Sequence, residues 1–226
     1  MEKNYGDILR AINAAATSVG RNPGEVVLVA VSKTVGIAEV QRAAQAGIHD
    51  FGENRSPLFV QKQVALPEER WHFIGHIQTN KLKDLVGRAS LIHSVATRHA
   101  LEVISRLAVE RQMRQPVLLE VNVSGEESKD GVSAQDVPSL LQAAGQLPGV
   151  EVRGLMTMAP VLLSERDDAA RQCFASLRRL RDNLAPDYAN ADNISLNELS
   201  MGMSDDFEDA VKEGATLVRI GRRLWS

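Results

Sequence analysis

Short apolar runs alternate with helical patterns eight times along this chain, and the alternation limits the possible folds more than any other feature. The runs are rich in valine, isoleucine and leucine, which is typical of strands buried on both faces. They cover residues 26–31, 49–51, 71–75, 90–95, 116–124, 150–158, 194–202 and 216–221. Strict alternation of strands and helices indicates parallel strands joined by right-handed crossovers.

Eight such units predict an α/β fold, a single (β/α)8 barrel of the TIM type that occupies residues 1–226 as one domain. A doubly wound open sheet is the alternative, but no GxGxxG follows any run, which disfavours its dinucleotide-binding form. A helical pattern over residues 4–18 precedes the first strand, whereas five residues follow the last one. The N-terminal helix is therefore expected to cover the place of a missing eighth helix.

Composition excludes several classes of protein. The net charge is −3 with acids and bases interleaved, which is not the charge distribution of a nucleic-acid-binding surface. Cys173 is the single cysteine, so no intramolecular disulfide can form and a reduced cytoplasmic setting is expected. The sequence has neither a signal-peptide pattern nor 18 consecutive apolar residues, so we expect no export and no membrane insertion.

The first run, VVLVAVSK, ends in a lysine, Lys33. A buried ammonium group is costly unless it is paired or made neutral. A lysine held in that way is suited to imine formation with an aldehyde. The alternative is a strand that ends at the surface, with the Lys33 ammonium extended into water.

Two further segments at strand ends carry binding chemistry. In SMGMSDD, residues 200–206, a glycine turn precedes Ser204, which is expected to cap the next helix and to create an anion site. Asp205 and Asp206 would oppose a phosphate there unless they point outward, and the alternative is a capped helix with no ligand. Arg219 lies within the last strand and needs an anion or a polar partner. A phosphate, an aromatic nitrogen, or a carboxylate such as Glu120 or Glu198 would serve.

Metal and hydrolase chemistry are both disfavoured. His72 and His76 are separated by a strand end and Gly75, there is no HExxH, and one cysteine cannot build a zinc site. A serine hydrolase of the GxSxG type is excluded because that motif is absent.

The strand ends belong to longer segments with a recognisable pattern, namely AVSKT (30–34), FGENR (51–55), WHFIGHIQTNK (71–81), EVNVSGEESKDG (120–131), GLMTM (154–158), LSMGMSDDFEDAVKEGAT (199–216) and VRIG (218–221). Together these segments resemble the YggS/PROSC family of pyridoxal 5′-phosphate (PLP) homeostasis proteins. The resemblance implies a barrel like the N-terminal domain of alanine racemase, the fold type III of PLP proteins. It also implies a protein that buffers and delivers PLP, with no established catalytic reaction.

The resemblance further assigns the cofactor site. It implies PLP held as an internal aldimine on Lys33, with Asn54 near the ring. The phosphate end is assigned to the SMGMS turn and the end of the last strand, and Arg219 to either the phosphate or the ring nitrogen. The implied cofactor-binding residues are Lys33, Asn54, Ser200, Met201, Gly202, Arg219, Gly221 and Arg222. Arg222 departs from the family pattern, in which a serine or threonine is followed by an IFG-like segment; an arginine there adds a cation near the phosphate.

A small PLP-dependent racemase is the alternative function. Racemisation by two bases needs a second acid/base, commonly a tyrosine, on the opposite face of the cofactor. The two tyrosines, Tyr5 and Tyr188, are not at predicted strand ends, which favours the carrier. The expected partners are PLP and PLP-dependent apoenzymes, and the chain is expected to be a cytoplasmic monomer.

Overall fold

Eight parallel strands close into a barrel in the computed structural model, which describes residues 1–123, 130–159 and 168–226. The strands in these residues are β1 (Val27–Val31), β2 (Asp50–Glu53), β3 (Arg70–Phe73), β4 (Leu91–Val95), β5 (Gln115–Asn122), β6 (Val132–Ser133), β7 (Val150–Met156), β8 (Ile194–Ser200) and β9 (Leu217–Ile220). All except β6 form the barrel, in the order β1-β2-β3-β4-β5-β7-β8-β9, and β9 pairs with β1. The predicted barrel is confirmed, and the open-sheet alternative is wrong.

Helices surround the barrel and separate most consecutive strands. In the described residues they are α1 (Glu2–Ser18), α2 (Ile37–Gln45), α3 (Ser56–Ala65), α4 (Leu82–Leu85), α5 (Arg98–Glu110), α6 (Val137–Gly145), α7 (Ala169–Leu184), α8 (Phe207–Lys212) and α9 (Arg222–Trp225). The expected start of α7 near residue 165 and the expected strand end at Ser124 lie outside the described residues. None of the described helices has both the length and the apolar character needed to cross a bilayer.

The strands are buried on both faces, as their composition predicts. A small apolar cluster fills part of the barrel interior, and a larger core lies between the strands and the helices. The interior cluster consists of Val29, Leu91, Leu118, Met156 and Leu217. Each fully buried side chain of this kind contributes about 1.5–3 kcal/mol to folding. The rest of the barrel interior holds polar groups, which are described below.

Helix α1 packs against α8 and α9, in the position expected for a helix that covers the end of the barrel sequence. The Asn4 side chain donates hydrogen bonds to the carbonyl oxygens of Leu224 (3.3 Å) and Ser226 (2.6 Å). The sequence predicts no helix after the last strand, but α9 forms one turn there. Leu224 is fully buried, and the Trp225 indole N–H donates to the Val31 carbonyl at 2.7 Å. The last residues are therefore anchored to α1 and β1.

Candidate functional site

The carboxyl ends of the barrel strands meet at one end of the barrel, which we call the mouth, and the predicted site residues lie there. Lys33 lies two residues beyond the end of β1 and is exposed, which agrees with the alternative in which its ammonium extends into water. The preceding residue, Ser32, is fully buried. The Lys33 amine is therefore accessible at the mouth, next to a fixed backbone.

A second lysine, Lys62 on α3, holds that backbone in place. This role was not identified from the sequence. Its side chain is 3% exposed and donates to the carbonyl oxygen (2.7 Å) and hydroxyl (3.3 Å) of Ser32. Its ammonium also forms an ion pair with Glu53 of β2, whose side chain is completely buried. The Ser32 hydroxyl donates to the same carboxylate at 2.9 Å. This Lys62–Glu53–Ser32 cluster braces the turn that carries Lys33.

Asn54 follows β2 and has a buried side-chain oxygen with no hydrogen-bond partner among the residues that the structure describes. It lies just beyond the strand and shares a pocket with Gly75 and His76 at the mouth. Its backbone is packed closely against Gly75, where a Cβ would lie 2.1 Å from the Asn54 carbonyl oxygen. Gly75 therefore permits a close approach that fixes Asn54, and the unpartnered amide oxygen can accept a hydrogen bond from a ligand.

Arg219 is a buried cation near the mouth. It is 4% exposed, and its guanidinium donates to the Ser200 hydroxyl (2.6 Å) and to the Thr157 carbonyl (2.9 Å). Burial lowers the pKa of Arg219 to about 10, although the charges of Asp206 and Glu120 oppose the shift. Arg219 thus remains charged at neutral pH.

The ion pair considered for Arg219 does not form with either candidate. Neither Glu120 nor Glu198 lies within ion-pair distance of it, and neither does any other carboxylate of residues 1–123, 130–159 and 168–226. Burial raises the pKa of Glu120 to about 7; Asp130 adds to the shift, and Arg219 and His76 oppose it. The mouth therefore holds a fixed cation next to a carboxyl group that titrates near neutral pH, a feature the sequence did not reveal.

The Ser200–Met201–Gly202 segment joins β8 to β9 mainly through its backbone. The Met201 N–H donates to the Leu217 carbonyl at 3.1 Å, and the Gly202 carbonyl accepts from the Arg219 N–H at 3.0 Å. The Met201 side chain is fully buried, so it is not available to a ligand. Gly202 has a φ of 91°, and this left-handed conformation favours glycine.

The prediction that Ser204 caps the following helix is wrong. Helix α8 begins at Phe207 with Asp206 in the N-cap position, and the Asp206 carboxylate accepts from the Met203 N–H at 2.5 Å. Met203 precedes the helix, so the Asp206 side chain bonds back to the turn and does not cap the N–H groups of α8. Asp206 is thus buried against its own backbone.

Gly221 and Arg222 follow β9 at the start of α9. The exposed Arg222 guanidinium pairs with the exposed Asp205 carboxylate at 2.6 Å, so its charge is balanced by a neighbouring acid. The Arg223 N–H donates to the Ser204 hydroxyl at 3.4 Å, and the Leu224 N–H donates to the Gly221 carbonyl at 2.9 Å. Most of the backbone donors of this turn are therefore used within the protein.

His72 and His76, which the sequence presents as a pair, point to different places. His72 lies inside the barrel and contacts His93 and Asp50, whereas His76 lies at the mouth, 3.4 Å from Asp130. In the part of the chain that the structure describes, no group of three or more His, Cys, Asp or Glu side chains could hold a metal ion. The role of His93 was missed, although a histidine in the buried run SLIHSV must find a polar partner.

Comparison with known proteins places the chain among related sequences over nearly its whole length. The family model "Alanine racemase, N-terminal domain" matches residues 8–225. A pyridoxal phosphate homeostasis protein of Aquifex aeolicus is 42% identical over 220 residues, covering 96% of this chain and 94% of that protein. One from Pseudomonas aeruginosa is 42% identical over 228 residues, covering 99% of this chain and 94% of that protein.

Solved structures agree with these matches. PipY of Synechococcus elongatus with PLP bound superposes with a TM-score of 0.81 at 34% identity, covering 95% of this chain and all (100%) of PipY. An alanine racemase from Clostridium difficile superposes with a TM-score of 0.74 at 12% identity, covering 97% of this chain and 59% of the racemase. At that identity the racemase is evidence for the shared fold alone.

Proposed function

This chain belongs to the alanine racemase N-terminal domain family and, within it, to the pyridoxal phosphate homeostasis proteins, and on that premise we propose that it binds PLP and buffers or delivers it. The proposal treats residues 1–226 as one cofactor-binding domain. The relative from Aquifex aeolicus, a pyridoxal phosphate homeostasis protein, matches this chain over nearly its whole length, and PipY holds PLP in a similar barrel.

One observation carries the proposal: an accessible amine just beyond one strand and a buried cation on the neighbouring strand lie at the same end of the barrel. Arg219 of β9 is paired in register with Val29 of β1, and Lys33 follows that strand. Lys33 is exposed, whereas Arg219 is buried without a carboxylate partner in the described residues. An aldehyde that carries a phosphate and an aromatic nitrogen matches this pair of groups.

The available donors and acceptors fit PLP. When bound, PLP supplies an aldehyde that condenses with a lysine amine and an aromatic ring that can delocalise negative charge. We assign covalent attachment to Lys33 and hydrogen bonding near the ring to Asn54, whose buried side-chain oxygen needs a donor. Arg219 is assigned to the phosphate or the ring nitrogen.

The phosphate end is assigned to the backbone of two turns at the mouth. These turns contain Ser200, at the end of β8, with Met201 and Gly202 after it, and Gly221 and Arg222 after β9. Backbone N–H groups in such turns can converge on an anion. The Met201 N–H already donates to the Leu217 carbonyl, so Met201 shapes the turn and does not donate to the phosphate. Ser200 also holds Arg219 in place through its hydroxyl group. Its side chain therefore acts on the cation, while the segment that follows it is assigned to the phosphate.

The racemase alternative gains no support from the two tyrosines. The Tyr5 hydroxyl donates to the Gly47 carbonyl at 3.5 Å, and Gly47 precedes β2. Tyr188 lies in a short 3₁₀ segment that precedes β8. Both are therefore near the amino ends of strands, opposite the mouth, and neither can act as the second base in a racemase.

The proposal includes partners and location. A carrier of this kind releases its cofactor to PLP-dependent apoenzymes, and we propose that it does so as a cytoplasmic monomer. Sedimentation of the purified protein with and without PLP tests the monomer assignment.

The test of the proposed function is the visible spectrum of the purified protein with added PLP, recorded beside Lys33→Ala, with alanine racemisation assayed in the same samples. We expect an imine band in the wild type alone, no racemisation, and a folded Lys33→Ala variant. An imine band retained in full by Lys33→Ala would refute the lysine assignment. Racemisation proportional to the band would favour the enzyme.

A further inference from the structure

A chain of buried polar side chains crosses the barrel interior and ends at Arg219. The Asp50 carboxylate lies 3.1 Å from His72 Nε2, and His72 Nδ1 lies 2.9 Å from His93 Nε2. His93 Nδ1 then lies 2.8 Å from the Ser200 hydroxyl, which accepts from Arg219. All five side chains belong to residues that are at most 8% exposed. The chain thus connects the amino end of β2 with the cation at the mouth.

The two ends of this chain have fixed hydrogen-bonding roles. Burial disfavours the charged form of Asp50, but hydrogen bonds from Arg70 and His72 outweigh it and lower its pKa to about 2. Asp50 is therefore an ionised carboxylate that only accepts hydrogen bonds. Arg219, at the other end, is a guanidinium that only donates. An acceptor at one end and a donor at the other give the chain a direction.

The direction determines which nitrogen of each histidine carries the proton. His72 Nε2 must donate to Asp50, and with a single proton on the ring its Nδ1 accepts from His93 Nε2. Burial, with the positive charge of Arg219 nearby, lowers the pKa of His93 well below its ordinary value, so His93 is neutral and its Nδ1 accepts. The Ser200 hydroxyl then donates to His93 and keeps its lone pairs for Arg219.

We propose that His93 and His72 are positioning residues for the cofactor site: His93, held in one tautomer by His72, accepts a hydrogen bond from the Ser200 hydroxyl, so that Ser200 faces Arg219 as an acceptor and fixes the guanidinium. The inference rests on the proposed function only in assigning Arg219 to the cofactor. The hydrogen-bond chain itself is a property of the protein alone. The reversed direction would require His72 to donate from both nitrogens, which adds a charge to the buried barrel interior.

The first test uses the wild-type protein without cofactor. Nitrogen-15 NMR of the histidine rings reports which nitrogen is protonated. We expect His93 and His72 both to carry the proton on Nε2, with Nδ1 bare. A proton on His93 Nδ1 would overturn the inference, whether or not the protein binds PLP. This measurement therefore separates failure of the inference from failure of the proposed function.

The second test uses two substitutions that divide the His93 contacts. An asparagine amide occupies the place of a histidine Nδ1, and a glutamine amide that of Nε2. His93→Asn therefore keeps the contact with Ser200, whereas His93→Gln keeps the contact with His72. We expect His93→Asn to bind PLP within about threefold of the wild type and His93→Gln to bind about tenfold more weakly, the effect of one hydrogen bond to a charged group.

The same pair of variants has a readout that does not depend on cofactor. Rotation of the Arg219 guanidinium, measured by NMR in the absence of PLP, is expected to be faster in His93→Gln and unchanged in His93→Asn. Equal effects of the two variants on rotation and on PLP affinity would mean that His93 only fills space, and the inference would be wrong. If neither variant folds, the protonation of His93 in the wild type still decides the question.

Discussion

Two buried cations flank the mouth of the barrel, and they are satisfied in different ways. Lys62 uses its three N–H donors on the Ser32 carbonyl, the Ser32 hydroxyl and the Glu53 carboxylate. Arg219 has neutral partners, Ser200 and the Thr157 carbonyl, and no carboxylate within ion-pair distance in the described ranges. The donors and the charge of Lys62 are thus satisfied within the protein, whereas the charge of Arg219 can interact with an anionic or electron-rich ligand.

The comparison of Lys62 with Arg219 distinguishes a cation that stabilises the fold from a cation that is available to a ligand. A buried ion pair that is fully hydrogen-bonded resists removal of either member, because the remaining charge is left uncompensated. A cation held by neutral groups can be replaced at little cost to the fold but at a cost to its ligand. We therefore expect changes at Lys62 to appear in the free energy of unfolding, and changes at Arg219 to appear in cofactor affinity.

The largest effect is expected from Lys62→Met, which leaves the buried Glu53 carboxylate unpaired. We expect a loss of about 3–5 kcal/mol in the free energy of unfolding, measured by urea denaturation of the protein without cofactor. The double variant Lys62→Met with Glu53→Gln is the control, because it removes both charges, and it should recover much of the loss. A change below about 1 kcal/mol in the single variant would show that the pair does not brace the Lys33 turn.

An intermediate effect on the free energy of unfolding is expected from a change of pH, through Glu120, the carboxyl group near Arg219. Burial raises the pKa of Glu120 from 4.5 to about 7. The folded protein therefore keeps this proton at pH values where the unfolded chain has lost it. Glu120 therefore contributes to the stability of the fold below pH 4.5, and this contribution is lost as the pH rises to about 7. The free energy lost is about 3 kcal/mol at most.

The matched variant for this prediction is Glu120→Gln, which cannot titrate. The difference in unfolding free energy between wild type and variant should change between pH 4.5 and 7 and be flat at higher pH. Taking the difference cancels the contributions of Asp50 and other shared groups. A constant difference across this range would mean that Glu120 ionises normally beside Arg219.

The smallest effect is expected from Arg219→Gln. We expect PLP affinity to fall by about 2 kcal/mol, roughly thirtyfold, while the unfolding free energy without cofactor changes by less than about 1 kcal/mol. Arg98→Gln is the control, because Arg98 lies on the surface of α5 and pairs only with Glu102 in the described residues. Unchanged affinity in Arg219→Gln would indicate that its role is structural and that the comparison with Lys62 fails.

The barrel, and the positions of three predicted site residues at its mouth, could be predicted from local sequence. Periodicity and strand composition determine the alternation, and Lys33, Asn54 and Arg219 could be placed because they follow or lie in recognisable strands. The two-residue strand β6 and the single-turn helix α9 were missed because segments so short have no measurable periodicity. The Ser204 cap was wrong because three consecutive residues, Ser204, Asp205 and Asp206, can all act as caps.

The partners inside the barrel could not be predicted because they depend on packing between distant elements. Lys62 lies within an otherwise ordinary helix, and nothing local shows that α3 faces Ser32 and Glu53. His93 and Ser200 are 107 residues apart in sequence, and their contact depends on how the barrel closes. Strand alternation places each of them on the interior face but does not say which side chain it meets.

The most direct test of this account is to add PLP, reduce the adduct with borohydride and map the modified lysine by peptide mass spectrometry. We expect the label on Lys33, which is exposed at the mouth, and not on Lys62, whose ammonium is buried and paired. We also expect Lys33→Ala to take up no more label than the nonspecific labelling of lysines measured in unfolded protein. A label distributed evenly over exposed lysines in the folded wild type would contradict the account.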